Sequence, residues 1–278
     1  MGIFLAALSA LFYGSADFAG GQASRHNSVA AVLVTSQILG LAIALVAAPL
    51  LGSSSVAASD LLWGAAAGLS GAVGLAFLYK GIASGIIAIV APKAAVVGSA
   101  VPVVVGSLLG QLPSLTGWFG IAVSIPAIFL LSWEKPEIKN RHKIILSLKY
   151  AFIAGLAFGG FAILISQTGS GSGLWPIVTS RTASVSTVLL LIWLSGRKLR
   201  VARHSLAAVA TAGSLDTMGN IAFLLSSRLI ILPIVGVVSG LAPAPTVLLG
   251  RMLLKERLGP VRITGLVLAL AGVVLLSL

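Results

Sequence analysis

Four ionisable residues interrupt long apolar runs of this sequence. They are Asp17, Lys93, Arg181 and Asp216. An ionisable group at the centre of a bilayer costs at least roughly 2.5 kcal/mol, so it usually serves binding, proton transfer or an internal ion pair. Two acids and two bases can neutralise one another, and the sequence leaves open which pairs form.

Asp216 and Arg181 have both a structural and a functional interpretation. Arg181 lies in the apolar run that precedes the run of Asp216, and Asn220 follows Asp216 by one helical turn. An Asp216–Arg181 pair could simply hold neighbouring helices together. The same groups could instead bind a substrate or carry a proton. Gln37 is a further polar candidate for the same site.

Lys93 and Asp17 leave similar alternatives open. Lys93 directly follows Pro92, so its ammonium could hold an anionic group or cap carbonyls that the proline frees. Asp17 has Tyr13 one turn before it and could simply extend toward the membrane surface. We expect Lys93 to line a central cavity with Arg181, and Asp17 and Tyr13 to lie nearer its mouth.

The elements that position these residues are apolar segments of membrane-spanning length. The chain of 278 residues is 58% hydrophobic and 9% charged, whereas soluble domains are roughly 25% charged. About 20 apolar residues cross a bilayer as a helix. The sequence therefore predicts ten helical spans: 3–21, 28–51, 60–80, 84–110, 114–133, 147–167, 173–195, 204–226, 230–254 and 260–278.

The ten spans divide into two similar halves. Residues 1–133 and 147–278 flank a basic linker at 134–146. The order Ala-Phe-Leu at 76–78 and Pro102 recurs as Ala-Phe-Leu at 222–224 and Pro243, although any two polytopic halves share composition. Because five spans is an odd number, the second copy would be inverted. The predicted fold class is all-α polytopic, with ten transmembrane helices as two inverted five-helix repeats.

Prolines in spans 4 and 9 predict interrupted helices at matched places. The candidate helix breaks are Pro92, Pro102, Pro233, Pro243 and Pro245. Broken helices in corresponding positions of two repeats indicate a transport site, although a simple kink is the alternative for any single proline.

The distribution of basic residues predicts orientation. Every Lys and Arg except Lys93, Arg181 and Arg228 lies in or beside the links 1–2, 3–4, 5–6, 7–8 and 9–10. Cytoplasmic loops carry such an excess. We expect a multi-pass plasma (inner) membrane protein with those links in the cytoplasm and both termini outside.

Several classes of protein are disfavoured. The net charge of +12 is explained by basic loops, so we expect no nucleic-acid partner. There is no cysteine, and no glycine-rich phosphate loop or His-Glu-x-x-His zinc motif occurs, so we expect no cofactor and no metal. A membrane-embedded enzyme acting on lipid would need paired carboxylates near an interface, and we expect Asp17 and Asp216 at different depths.

The chain resembles the EamA-type transporters of the drug/metabolite transporter superfamily over essentially its whole length. The resembling segments are 12–21, 172–176 with Arg181, 243–248 and 255–258. The resemblance implies two inverted five-helix repeats and transport of small metabolites, often outward. Lys93 departs from the family pattern, in which this position is typically apolar, and suggests a carboxylate- or phosphate-bearing substrate.

These observations favour a secondary transporter, with export as the expected direction. Its substrate would be a small metabolite such as an amino acid or an organic anion, moved by alternating access around a cavity at mid-depth. Proton coupling through Asp17 or Asp216 is a further hypothesis. A membrane-embedded enzyme and a non-transporting membrane subunit are the alternatives.

Overall fold

The structure is a computed structural model that describes residues 1–83, 87–133, 141–195 and 200–278. Most of the predicted basic linker, 134–140, and the basic residues Arg197 and Lys198 lie outside the described residues. The helices are α1 Gly2–Ser24, α2 Val29–Leu50, α3 Ala58–Ala83, α4 Ile87–Leu108, α5 Leu115–Ser132, α6 Arg141–Ser166, α7 Trp175–Ser195, α8 Leu206–Ser227, α9 Leu232–Ser239, α10 Pro243–Leu253 and α11 Pro260–Ser277.

The prediction of an all-α fold with ten membrane-spanning helices is confirmed. Ten segments of the described chain are long and apolar enough to cross a bilayer, with α9 and α10 together forming the ninth. Helices are required there because the hydrocarbon core offers no water to bond exposed backbone groups. Serine residues cap the N-termini of α2 and α5. Ser28 Oγ accepts a hydrogen bond from Ala31 N at 3.3 Å, and Ser114 Oγ accepts one from Gly117 N at 3.1 Å.

The two proline-bearing spans behave differently. Span 9 is interrupted between Ser239 and Pro243, where α9 ends and α10 begins. In span 4, the expected breaks at Pro92 and Pro102 are wrong, because both prolines lie inside the continuous helix α4. Proline removes one hydrogen bond and leaves the carbonyl four residues earlier without a donor. For Pro102 that carbonyl belongs to Gly98, which lines the cavity described below.

Pro233 also does not interrupt a helix. It occupies the first turn of α9, where a missing N–H costs nothing and the fixed φ of proline favours the helix. Pro233 packs on Gly106 of α4, so that a Cβ at Gly106 would lie 2.6 Å from Pro233 Cδ.

The helices pack through small residues. A Cβ on Gly68 of α3 would lie 2.0 Å from the carbonyl oxygen of Ser180 in α7. A Cβ on Gly14 of α1 would lie 2.2 Å from the carbonyl oxygen of Ala242, at the break in span 9. Glycine lets membrane helices approach to backbone contact, so these positions bring α1, α3, α7 and the broken span together.

The packing partners follow a regular scheme. Extensive contacts join α1 to α8, α3 to α6, and α5 to α11. Exchanging each span for the span at the corresponding place in the other half turns the first pair into the second. Span 1 is exchanged for span 6, and span 8 is exchanged for span 3. The same operation returns the pair of α5 and α11, the fifth and tenth spans, to itself.

The two ends of the bundle differ in composition and packing. We call the end with both termini and the links at 51–57, 109–114, 167–174 and 228–231 the terminal end, and the opposite end the basic end. A cluster of buried apolar side chains, including Ile165, Leu174, Ile177, Leu224 and Leu232, fills the terminal end. The terminal end of the bundle is therefore packed with apolar side chains.

Candidate functional site

A cavity of about 580 Å³ lies between the helices. This volume falls in the range of small-molecule sites, roughly 300 to 1,000 Å³. Both halves of the chain contribute to its walls. The polar side chains in the lining are Tyr13, Asp17, Gln37, Ser99, Ser132, Ser180, Arg181, Ser184, Asp216, Asn220, Ser239, Thr246 and Arg262.

An ion pair between Arg181 of α7 and Asp216 of α8 lies at the centre of this site. Arg181 Nη2 donates to Asp216 Oδ2, and Arg181 Nη1 donates to Gln37 Oε1 of α2 at 3.2 Å. The Arg181 side chain is 8% exposed and that of Asp216 is 41% exposed. The guanidinium is therefore withdrawn into the wall, whereas the carboxylate is turned toward the open space.

A second set of hydrogen bonds joins α1 to the same group. Tyr13 Oη donates to Asn220 Oδ1 at 3.1 Å, and Asn220 Nδ2 donates to the Asp216 carbonyl at 2.8 Å. The network thus runs from α1 and α2 in the first half to α7 and α8 in the second. Such satisfied polar networks fix the relative positions of the helices that carry them.

Asp17 lies level with Asp216, so the expectation that these carboxylates fall at different depths is wrong. The helices α1 and α8 run antiparallel, as three contacts show: Gly2 packs on Ile230, Tyr13 on Gly219, and Gly20 on Ala212. Residue numbers in opposed positions sum to about 232, which places Asp17 opposite Asp216. The pairing register is a tertiary property and could not be read from either helix alone.

The environment of Asp17 differs from that of Asp216. Asp17 is exposed and lines the cavity. It forms no ion pair within the part of the chain that the structure describes. Tyr13 precedes it by one turn on the same face of α1. Asp17 is thus a cavity carboxylate without the neutralising partner that Asp216 has.

Lys93 is not part of the cavity, and the expectation that it lines the site is wrong. The α4 residues that line the cavity form one helical stripe: Ala91, Ala94, Ala95, Gly98, Ser99 and Pro102. Lys93 follows Ala91 by two residues, which turns its side chain about 200° away from that position. It is half-buried on the opposite face of α4.

The prolines divide in the same way. Pro102 of α4 and Pro243 of α10 line the cavity. Pro92, Pro233 and Pro245 are not among the lining residues. Pro102 packs on Gly236 of α9, where an added Cβ would lie 2.6 Å from Pro102 Cβ. The two proline-bearing spans therefore meet beside the cavity.

Three phenylalanines form an apolar wall that the sequence reasoning missed. Phe158 and Phe161 lie three residues apart on one face of α6, and Phe223 lies on α8. The rings of Phe161 and Phe223 are 6.5 Å apart between centroids. In a chain this apolar, an i, i+3 pair of phenylalanines has no signal that separates it from core packing. Ser239, Thr246 and Arg262 were missed for the same lack of a distinguishing pattern.

The cavity extends toward the basic end. Its lining includes Leu131 and Ser132 at the end of α5 and Arg262 in the first turn of α11. Arg262 Nη1 lies 3.9 Å from Glu256 Oε2. Toward the terminal end the lining stops at Phe161, Ala162 and Phe223, beside the apolar cluster. The cavity is therefore closed on one side of the bundle.

Polar contacts between links reinforce the closed terminal end. Ser172 Oγ donates to Asp60 Oδ2 at 2.6 Å, and Arg228 Nη2 donates to the Gly169 carbonyl at 2.9 Å. Burial lowers the pKa of the Arg228 guanidinium from its ordinary value, and the nearby Asp60 carboxylate opposes that shift. Gln111 Oε1 accepts a hydrogen bond from Leu232 N at 2.7 Å.

Comparison with known proteins agrees with this architecture. Residues 145–278 match the model of the EamA-like transporter family. A crystal structure that is 13% identical in sequence has the same fold with a TM-score of 0.79, covering 99% of this chain and 98% of that chain. No curated protein matches the sequence.

The fold and the cavity define a multi-pass membrane protein with a solute-sized cavity that contains an ion pair. The family match over residues 145–278 and the whole-chain fold similarity together support the resemblance to the EamA-type transporters of the drug/metabolite transporter superfamily. Members of this family are transporters and not enzymes, which fits the expectation of a non-enzyme.

Proposed function

We propose that this protein is a secondary transporter that exports a small metabolite across the plasma membrane. The observation that carries the proposal is the Arg181–Asp216 ion pair at the wall of a solute-sized cavity built from both halves of the chain. Burying charge within a membrane is costly, so charged groups there usually mark a substrate or ion pathway.

The shape of the cavity supports alternating access. It extends to the basic end and is closed by apolar packing at the terminal end. A carrier needs a central site that opens to one side at a time. Rocking of the halves about the α5–α11 contact would transfer the opening from one side to the other.

We further propose that residues 1–133 and 147–278 are two inverted repeats, with residues 141–146 of the predicted linker 134–146 forming the start of α6. The contact of α1 with α8 corresponds to the contact of α6 with α3 when the spans of the two halves are exchanged, and this correspondence supports the duplication. With the basic links in the cytoplasm, both termini lie outside and the cavity opens to the cytoplasm. A cavity loaded from the cytoplasm fits export.

Proton coupling stays a hypothesis attached to Asp17 and Asp216. Two carboxylates at one level of a cavity can exchange a proton for a solute. Transport by right-side-out vesicles that persists unchanged when both residues are replaced by Asn would contradict coupling through them.

Thermal stabilisation of the purified protein tests the proposal across many candidate substrates at once. A panel of amino acids, amines, sugars and organic anions is screened, and a hit is tested for transport in proteoliposomes. We expect a hit to be transported and Asp216→Asn to weaken both signals. Lys149→Met, which removes an exposed cation at the start of α6, should leave them unchanged.

The alternatives predict different outcomes. A panel in which nothing binds and nothing is transported would contradict the transporter and favour a non-transporting subunit. Chemical conversion of a bound compound would favour the membrane-embedded enzyme.

A further inference from the structure

We propose that the cavity selects a solute with a single positive charge and an apolar body, an amine held between Asp17 and Asp216. This inference rests on the proposed function and specifies the substrate class of the same site. It replaces the anionic or amino-acid substrate expected from the sequence.

The charge of the central site favours a cation. Three ionisable side chains lie at this level of the cavity: Asp17, Asp216 and Arg181. Arg181 is matched by Asp216, so the group has one carboxyl more than it has cations. The remaining lining cation, Arg262, lies at the basic end near Glu256. One monovalent cation would balance the excess carboxyl of the central group.

The orientation of the ion pair also favours a cation. Arg181 is 8% exposed and donates to both Asp216 and Gln37, so a solute carboxylate could reach little of it. Asp216 is 41% exposed. Its Oδ1 atom accepts no hydrogen bond within the described residues. A bound ammonium could bond to that oxygen and to Asp17 without breaking the pair with Arg181.

Because Lys93 does not line the cavity, the reason for expecting an anionic substrate no longer applies. With Lys93 on the opposite face of α4, a solute carboxylate at mid-depth would meet Asp17 and Asp216. An amino acid would place its own carboxylate in the same field. The site therefore distinguishes an amine from the amino acid of the same side chain.

The rest of the cavity suits the apolar part of such a solute. Phe158, Phe161 and Phe223 form the wall described above, and Leu75 and Leu78 extend it along α3. Tyr13 lies one turn from Asp17 and presents an aromatic ring to the cavity. Aromatic rings attract cations through their negative faces, so ring and carboxylate act together on an ammonium group.

Four phenyl-bearing probes test the inference on the purified full-length protein. They are 2-phenylethylamine, phenylalanine, 3-phenylpropionate and 2-phenylethanol, with n-hexylamine as an aliphatic amine. We expect an amine to stabilise the protein and to bind about tenfold or more tightly than the neutral alcohol, as a charge-assisted hydrogen bond allows. Preference for the propionate or phenylalanine, or no binding of either amine, would overturn the inference.

Matched carboxamide variants locate the charge. Asp17→Asn should lower amine affinity about tenfold or more, and Asp17→Glu should restore part of it. Glu137→Gln makes the same change of charge in the predicted linker 134–146 and should leave affinity unchanged. Equal amine affinity in the wild type and in Asp17→Asn would overturn the assignment.

The outcomes separate this inference from the proposed function. Transport of an organic anion or a sugar without binding of amines would contradict the amine site and leave the transporter intact. Failure of every compound in the broad panel would contradict both.

Discussion

Arg181 and Asp216 form an asymmetric ion pair, in which the cation is 8% exposed and the anion 41% exposed. The guanidinium is held inside the helix bundle by Gln37 and Asp216, and the carboxylate belongs to the cavity wall. The pair joins α7 to α8 and still leaves one carboxylate oxygen facing the solute. A structural and a functional role therefore coincide in the same two residues.

This asymmetry predicts unequal costs for neutralising the two partners. Asp216→Asn leaves a nearly buried guanidinium without its counter-ion and should lower the free energy of unfolding by about 3 kcal/mol or more. Arg181→Gln leaves a carboxylate that water in the cavity can reach, and should cost about 1 kcal/mol. Thermal unfolding in detergent measures both. Equal costs, or a greater cost for Arg181→Gln, would contradict the asymmetric burial.

The Tyr13–Asn220 hydrogen bond predicts a small, specific loss. Tyr13→Phe removes only the hydroxyl that donates to Asn220 Oδ1, so the expected decrease in the free energy of unfolding is about 0.5–1.5 kcal/mol. Tyr150→Phe is the matched control, because Tyr150 lies outside the cavity lining. A loss of equal size in both variants would mean that the Asn220 contact contributes nothing.

Close packing of α3 on α7 predicts a severe effect at Gly68. A Cβ there would lie 2.0 Å from the backbone carbonyl of Ser180, and backbone cannot yield as a flexible side chain can. Gly68→Ala should lower the unfolding temperature or prevent folding, since overpacking costs about 1–3 kcal/mol or more. Gly21→Ala is the control, because nothing lies within 4 Å of its Cβ position. Wild-type stability of Gly68→Ala would contradict the helix packing.

The absence of cysteine from the chain permits a clean test of orientation. Ser53 is exposed in a link at the terminal end, and Arg257 is exposed in a link at the basic end. In intact cells a membrane-impermeant maleimide should label Ser53→Cys and should reach Arg257→Cys only after lysis. The reverse pattern would invert the proposed topology.

Sequence reasoning succeeded where a single physical cost decides the outcome. Apolar length determines the spans, and the cost of charge in lipid is enough to make Asp17, Arg181 and Asp216 candidates for one site. Their convergence with Tyr13, Gln37 and Asn220 is a matter of geometry that the structure adds. The predicted interruption of span 9 is also present, since α9 ends at Ser239 and α10 begins at Pro243, which has no backbone N–H to donate.

Sequence reasoning failed where tertiary geometry decides. The charge of Lys93 predicts a place in the cavity, but the face of α4 that meets the cavity is set by packing against other helices. The level of Asp17 depends on the register of α1 against α8. Pro102 leaves α4 continuous because one lost hydrogen bond is tolerated beside a cavity. None of these properties belongs to a single segment of sequence.

A counterflow transport assay tests most directly whether the protein carries a small solute across the membrane through the cavity at Arg181 and Asp216. Proteoliposomes are loaded with an unlabelled hit from the binding panel, and uptake of the labelled compound is followed. We expect transient, saturable accumulation by the wild type that falls about tenfold or more in Asp17→Asn and is retained in Glu137→Gln. Wild-type accumulation no greater than in empty liposomes, for every compound that binds, would show that the protein is not a carrier of these solutes.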